Sequence, residues 1–282
     1  MSWFVLSLLY VILGSSANIL RKILLRDVRS DAVGSAVLFQ FMGTIIVAIF
    51  AIWHGFTFPP ISKYPINFIL NASLWGLSTL GLFKAYQYIE ASEVTILLTF
   101  ESVVTILAAI VFLHEKFTSL NVVGTVFIIL AVVYMSQTST KLKFNKGVLY
   151  ALGSGILAGF AIVNDTFMLK HADTLSYLTV GFFLPGLFIL LLRPKVVTKM
   201  KPLLQFAVLK KNALFTLIYT IGGIFFYLAI SRGGEASQVN TIAQANVVVT
   251  VLLAALFLNE RDHIFKKFVC AILVTIGVLL LR

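Results

Sequence analysis

Residues Glu90–Glu115 read EASEVTILLTFESVVTILAAIVFLHE, and 145 positions later Glu235–Glu260 read EASQVNTIAQANVVVTVLLAALFLNE. The two stretches align without a gap and agree at twelve of 26 positions. Apolar composition raises such counts. It does not place Glu-Ala-Ser at one end and Phe-Leu-x-Glu at the other in the same register. The pattern is that of an internal duplication, with halves at residues 1–136 and 147–282 and a linker at 137–146.

The chain around these copies is strongly apolar. Of 282 residues, 60% are hydrophobic and 12% charged, and the mean hydropathy is +1.00. A soluble domain carries about 25% charged residues, so a soluble domain, a disordered chain and a secreted disulfide scaffold are excluded. The single cysteine, Cys270, rules out an intramolecular disulfide. Helical runs long enough to cross a bilayer, about 20 residues each, lie near residues 3–25, 32–53, 66–89, 91–113, 117–136, 147–169, 174–192, 213–230, 235–258 and 264–281. Arg26–Asp31, Pro59–Pro65 and Arg193–Pro202 are among the separators. Long, uniformly apolar runs exclude a β-barrel, which alternates over about ten residues.

Five runs per half is an odd number, so the second copy must enter the membrane upside down. The sequence therefore predicts an all-α membrane protein of ten transmembrane helices, arranged as two inverted five-helix repeats around a central cavity. Repeats of this kind give secondary transporters two related states, one facing each side.

The net charge is +11 and the pI about 9.8. The Lys and Arg residues lie mostly between runs, where they orient the chain and meet lipid headgroups, and no nucleic-acid partner is expected. The side reached after the odd-numbered runs holds sixteen positive residues, Arg21 and Lys22 included, against five on the other. Lys/Arg excess marks the cytoplasmic side, which would put both termini outside.

Ionisable groups inside a bilayer are expensive and mark function by default. Glu101 is the sharpest candidate, ten residues into the fourth run. It could accept a proton and couple transport to a gradient, pair with a substrate amine, or join two helices by a hydrogen bond. Thr95 and Thr99 are one turn apart and share a face; their repeat counterparts Asn240 and Gln244 do the same, and Glu101 corresponds to Asn246. Matched polar stripes suit a hydrated cavity on a pseudo-axis, whereas isolated polar residues serve as helix-to-helix bonds. Further candidates for substrate binding or coupling are Asn18, Trp75, Lys84, Asp165 and Tyr227. Glu115 and Glu260, each at a run end, are expected to gate or brace the turn. Gly14 in the first run and Gly153, Gly155 and Gly159 in the sixth suit close approach of helices.

The repeats, the Phe112–Glu115 and Phe257–Glu260 ends and the Glu101 region resemble the EamA-type, ten-helix permeases of the drug/metabolite transporter superfamily over essentially the full length. Many members have Glu-Pro where this chain has Glu101-Ser102. The resemblance implies two five-helix halves whose cavity is lined mainly by the first, third and fourth helices of each, with both termini in the cytoplasm, against the charge count.

His54, His114, His171 and His263 form no metal-ligand spacing, and no nucleophile elbow or Walker motif occurs. No cofactor, no metal and no enzyme activity are expected. The reading is a secondary carrier, possible proton coupling included, for a small polar or amphipathic metabolite such as an amino acid. It would work in the plasma membrane, with substrate, lipids and protons as partners and a monomer sufficient for the pathway. The rivals are a membrane-embedded enzyme acting on lipid or polyprenyl substrates and a non-transporting scaffold.

Overall fold

The computed structural model describes residues 2–26, 31–113, 119–136, 145–232, 239, 242–243, 245–260 and 262–280. The described residues are all-α. In chain order the helices are α1 (Trp3–Arg26), α2 (Ala32–His54), α3 (Pro65–Tyr88), α4 (Ala91–Leu98), α5 (Phe100–Leu113), α6 (Ser119–Ser136), α7 (Lys146–Met168), α8 (Thr174–Leu192), α9 (Val196–Met200), α10 (Phe206–Ser231), α11 (Ala245–Phe257) and α12 (Ile264–Leu280), with a 3-10 turn at Lys201–Leu204. Among the described residues seven segments are long and apolar enough to span a bilayer, and α11 is a shorter apolar helix.

Local chemistry sets the ends. The Asp31 carboxylate accepts from the backbone N–H of Gly34 at 2.9 Å, capping the start of α2. Gly55 closes that helix at φ +92°, a left-handed conformation that favours glycine. Asp173 caps α8 through Ser176 N–H, also at 2.9 Å. Pro65 occupies the first turn of α3, where its missing N–H is harmless.

Two runs differ from expectation. The fourth is interrupted at Thr99, which separates α4 from α5. There the backbone tightens: Thr99 N–H donates to Ile96 and Ser102 N–H to Thr99, each three residues back. The eighth run begins at Phe206, seven residues before the expected Ala213, because α9 and the 3-10 turn carry the chain directly into it. That connecting segment buries Val196 and Leu203 against the start of α2 while Lys195 and Lys201 stay exposed, an amphipathic layout suited to the headgroup region.

Packing pairs α1 with α10 and α3 with α7; α1 also meets α11, and α7 meets α5. The helices α2 and α8 pack on each other, as do α6 and α12. The tightest approaches are glycine-made. A Cβ on Gly159 of α7 would lie 2.9 Å from the Glu101 carbonyl oxygen and 2.8 Å from Val104 Cβ. A Cβ on Gly14 of α1 would lie 2.9 Å from Asn246 Nδ2. Gly14 and Gly159 are themselves 145 residues apart, as are Glu101 and Asn246. Gly153 is an exception to the expected close approach, since a Cβ there would meet nothing within 4 Å. Phe39 centres the core among Phe83, Phe182, Phe215 and Tyr219, with ring centroids 5.1–5.8 Å away.

The positive-charge count needs correction. Arg21, Lys22 and Lys267 are not loop residues: they lie inside α1 and α12 and are buried. They belong to the interior, so they carry no vote on orientation.

Candidate functional site

A cavity of about 240 Å³ lies between the helices. Its walls come from α1, α2, α3, α4, α5, α7, α8, α10 and α11, with Ala243 just before the last. Of the residues singled out in the sequence, Asn18, Trp75, Thr95, Thr99, Glu101, Asp165, Tyr227 and Asn246 all line it. Lys84 does not; its ammonium sits 5.0 Å from the centre of the Tyr150 ring. Asn240, Gln244 and Glu115 lie outside the described residues, as does most of the 137–146 linker.

Asp165 anchors one end. It lies near the C-terminus of α7, 3% exposed, where α3, α8 and α10 converge. Its Oδ1 accepts from the Tyr177 hydroxyl at 2.6 Å and from Asn71 Nδ2 at 3.2 Å. Its Oδ2 accepts from Trp75 Nε1 at 2.8 Å and from the Tyr227 hydroxyl at 3.3 Å. Four neutral donors surround the carboxyl and no cation pairs with it among the described residues. Its acceptor sites are thus met by protein donors, two tyrosines, a tryptophan and an asparagine at the cavity wall.

Glu101 differs. It starts α5 just past the Thr99 interruption, against the Gly155–Gly159 face of α7. Among the described residues no side-chain hydrogen bond or ion pair reaches its carboxyl. Its repeat counterpart Asn246 is occupied: Oδ1 accepts from Ser15 at 2.9 Å, Asn18 at 3.3 Å and Thr250 at 2.8 Å. The Thr95 and Thr99 hydroxyls donate to their own helix, to the carbonyls of Ala91 at 2.8 Å and Ile96 at 2.6 Å. They offer lone pairs to the cavity and have no free proton.

The sequence candidates missed Tyr177 and, more consequentially, Arg21, which lines the same cavity and is 1% exposed. Five aromatic rings surround its guanidinium: Phe215 at 4.8 Å, Tyr219 at 5.1 Å, Phe83 and Tyr86 at 5.2 Å, and Phe39 at 6.0 Å. Such contacts return about 0.5–2 kcal/mol each against a desolvation cost of several kcal/mol. No local pattern announces this cage, since its rings come from three helices spread over residues 39–219.

Beside Arg21, a polar cluster ties helix ends together. Glu260 accepts from the backbone N–H of Ala91 at 3.1 Å and of Ser92 at 3.3 Å, and from the Ser92 hydroxyl at 3.0 Å. The Phe-Leu-x-Glu end of the second copy thereby caps the Glu-Ala-Ser start of the first. Lys267 bridges Glu90 and the Glu260 carbonyl, and Lys22 donates to the terminal carbonyls of α3 at Tyr86 and Ile89. Among the described residues no group of three His, Cys, Asp or Glu side chains is arranged to hold a metal.

This arrangement of an apolar helical bundle around a polar cavity has relatives. The chain is 27% identical over 248 residues to proteins of Bacillus cereus and Bacillus anthracis named "Putative sugar uptake protein", covering 82% of this chain and 83% of theirs. A crystal structure, 13% identical, superposes with a TM-score of 0.62 over 98% of this chain and 94% of that one, a likeness of fold. The model of the EamA-like transporter family matches twice, at residues 1–137 and 145–282. The chain belongs to the EamA-like transporter family, a multi-pass membrane transporter of small molecules rather than an enzyme.

Proposed function

We propose that the chain is a secondary, alternating-access carrier of the plasma membrane for a small polar or amphipathic metabolite, an amino acid or a close relative of one. Ten spans form two inverted repeats, 1–136 and 147–282, that rock about the cavity. The packing supports this reading. Under the exchange of halves, α1 against α10 becomes α7 against α3, and α1 against α11 becomes α7 against α5. The paired close approaches, Gly14 on Asn246 and Gly159 on Glu101, follow the same exchange.

The observation that carries the proposal is the unpaired Glu101 carboxyl on the wall of a cavity between the halves. A group of this kind takes either a proton or the ammonium of a substrate, and one that does both in turn couples the two movements. Its repeat mate Asn246 is locked in helix-to-helix bonds, so a single coupling group serves both states. The Glu260 cluster closes one end of the molecule and is the gate of that side; in the sequence repeat Glu260 corresponds to Glu115, which lies outside the described residues.

The Bacillus relatives' name brings sugar into consideration, and Trp75 beside Asp165 would suit a hydroxylated ring. The charged, unpaired groups on the cavity wall favour an amino acid. Counterflow in proteoliposomes decides. Exchange of a radiolabelled amino acid mixture, with glucose giving none, supports the proposal. Glucose exchange alone, or no exchange of either, overturns it.

A further inference from the structure

Among the described residues three cations are buried deeply, and two have ordinary partners. Lys22 gives its protons to the carbonyls of Tyr86 and Ile89, and Lys267 to Glu90 and the Glu260 carbonyl. Arg21 is buried as completely, but among the described residues its guanidinium meets the Tyr219 hydroxyl and no carbonyl or carboxylate. Its Nε lacks any hydrogen-bond partner, and no carboxylate among the described residues pairs with it. Aromatic faces attract the positive charge, yet they are poor acceptors for the five N–H groups that a guanidinium presents in its plane. Buried polar groups left this way in a protein ask for a missing partner. Because Arg21 lines the cavity, that partner can come from the cavity.

We propose that Arg21 is the anion-recognition group of the cavity and takes the carboxylate of a small monocarboxylic acid, such as the amino acid proposed above, whose apolar body lies among the surrounding rings. The inference rests on the carrier reading above and names one end of the cargo. Two carboxylate oxygens match the guanidinium fork. A dianion such as a phosphate ester does not fit: Arg21 is the single cation on the wall among the described residues, and Glu101 and Asp165 share that wall. Three of the rings that hold Arg21, namely Phe39, Phe83 and Tyr219, line the same space. A neutral sugar would leave the fork without a charged acceptor.

The test uses Trp75, which lines the cavity, as a reporter in a Trp3→Phe, Trp53→Phe background. The detergent-purified full chain is titrated with 3-phenylpropionate, with its uncharged amide and with phenyl phosphate. The expected result is saturable binding of 3-phenylpropionate about tenfold or more tighter than the amide or phenyl phosphate, as for loss of one charge-assisted bond. Arg21→Gln should erase that preference. Arg21→Lys, which keeps the charge without the fork, should cut it to about threefold or less, and it decides the matter if Arg21→Gln fails to fold. Equal binding of acid and amide, tighter binding of phenyl phosphate, no binding of any probe, or an undiminished preference in a folded Arg21 variant each overturns the proposal. Selective binding without uptake into proteoliposomes upholds Arg21 and defeats the carrier reading. Amino acid uptake unaffected by Arg21→Gln does the reverse.

Discussion

Arg21 and Asp165 are charges of opposite sign on the wall of one cavity, carried on the helices that open the two halves, and their surroundings differ in kind. Asp165 has four protein donors on its two oxygens. Arg21 has rings on every side and no acceptor at Nε. A buried charge whose bonding is complete is scaffold; one left incomplete is poised for something that comes and goes. Glu101, also unpaired, falls on Arg21's side of that division.

The comparison makes opposite stability predictions. Asp165→Ala orphans two hydroxyls, an indole N–H and an amide at once. It should cost roughly 3–5 kcal/mol, the range for removing one member of a buried polar set. Arg21→Gln removes an uncompensated charge and should stay within about 1 kcal/mol of wild type. Thermal melts in detergent check both. Equal losses in the two variants would collapse the distinction between scaffold and site.

Gly159→Leu comes next, because its Cβ alone meets the Glu101 carbonyl at 2.9 Å. Backbone cannot yield cheaply there, and overpacking of this kind costs about 1–3 kcal/mol. A melt unchanged from wild type would contradict the close packing of α7 on α5. Glu260→Ala should cost about 1–2 kcal/mol, since it strips the acceptor from Ala91 and Ser92 and loosens the Arg26 contact at 3.5 Å. Smallest is Thr99→Ala. Its hydroxyl proton is already given to Ile96, so the cavity loses a lone pair only. The apparent Km should rise about two- to threefold, the size of a weak neutral hydrogen bond, and an unchanged Km would reduce Thr99 to helix packing.

The membrane class, the apolar runs that form the described helices and the presence of Glu101 and Asp165 within them were legible because each is written locally. Apolar length, Pro and charge separators, and the offset of 145 need no tertiary knowledge. Asn18, Trp75, Asp165 and Tyr227 were visible as polar or amphipathic residues within spans, although nothing in the sequence joined Trp75 and Tyr227 to Asp165. Arg21 was not legible. It stands five residues from the end of α1, next to Lys22 in Arg21-Lys22-Ile23, and reads as the start of a charged boundary. Its burial depends on Phe39, Phe83, Tyr86, Phe215 and Tyr219, ordinary apolar-run residues until α2, α3 and α10 bring them together. The interruption at Thr99 was hidden too: Leu97-Leu98-Thr99-Phe100 contains neither Gly nor Pro, and the three-residue bonds that mark it are made by Thr99 itself with Ile96 and Ser102.

The central claim, a carrier coupled through Glu101, is tested most directly by accumulation of a radiolabelled amino acid mixture in proteoliposomes under an imposed acid gradient. Wild-type protein should accumulate label above equilibrium. Glu101→Gln should reach equilibrium and stop there, while still exchanging label across the membrane. Accumulation by Glu101→Gln equal to that of wild type, with the same dependence on the gradient, would contradict the account.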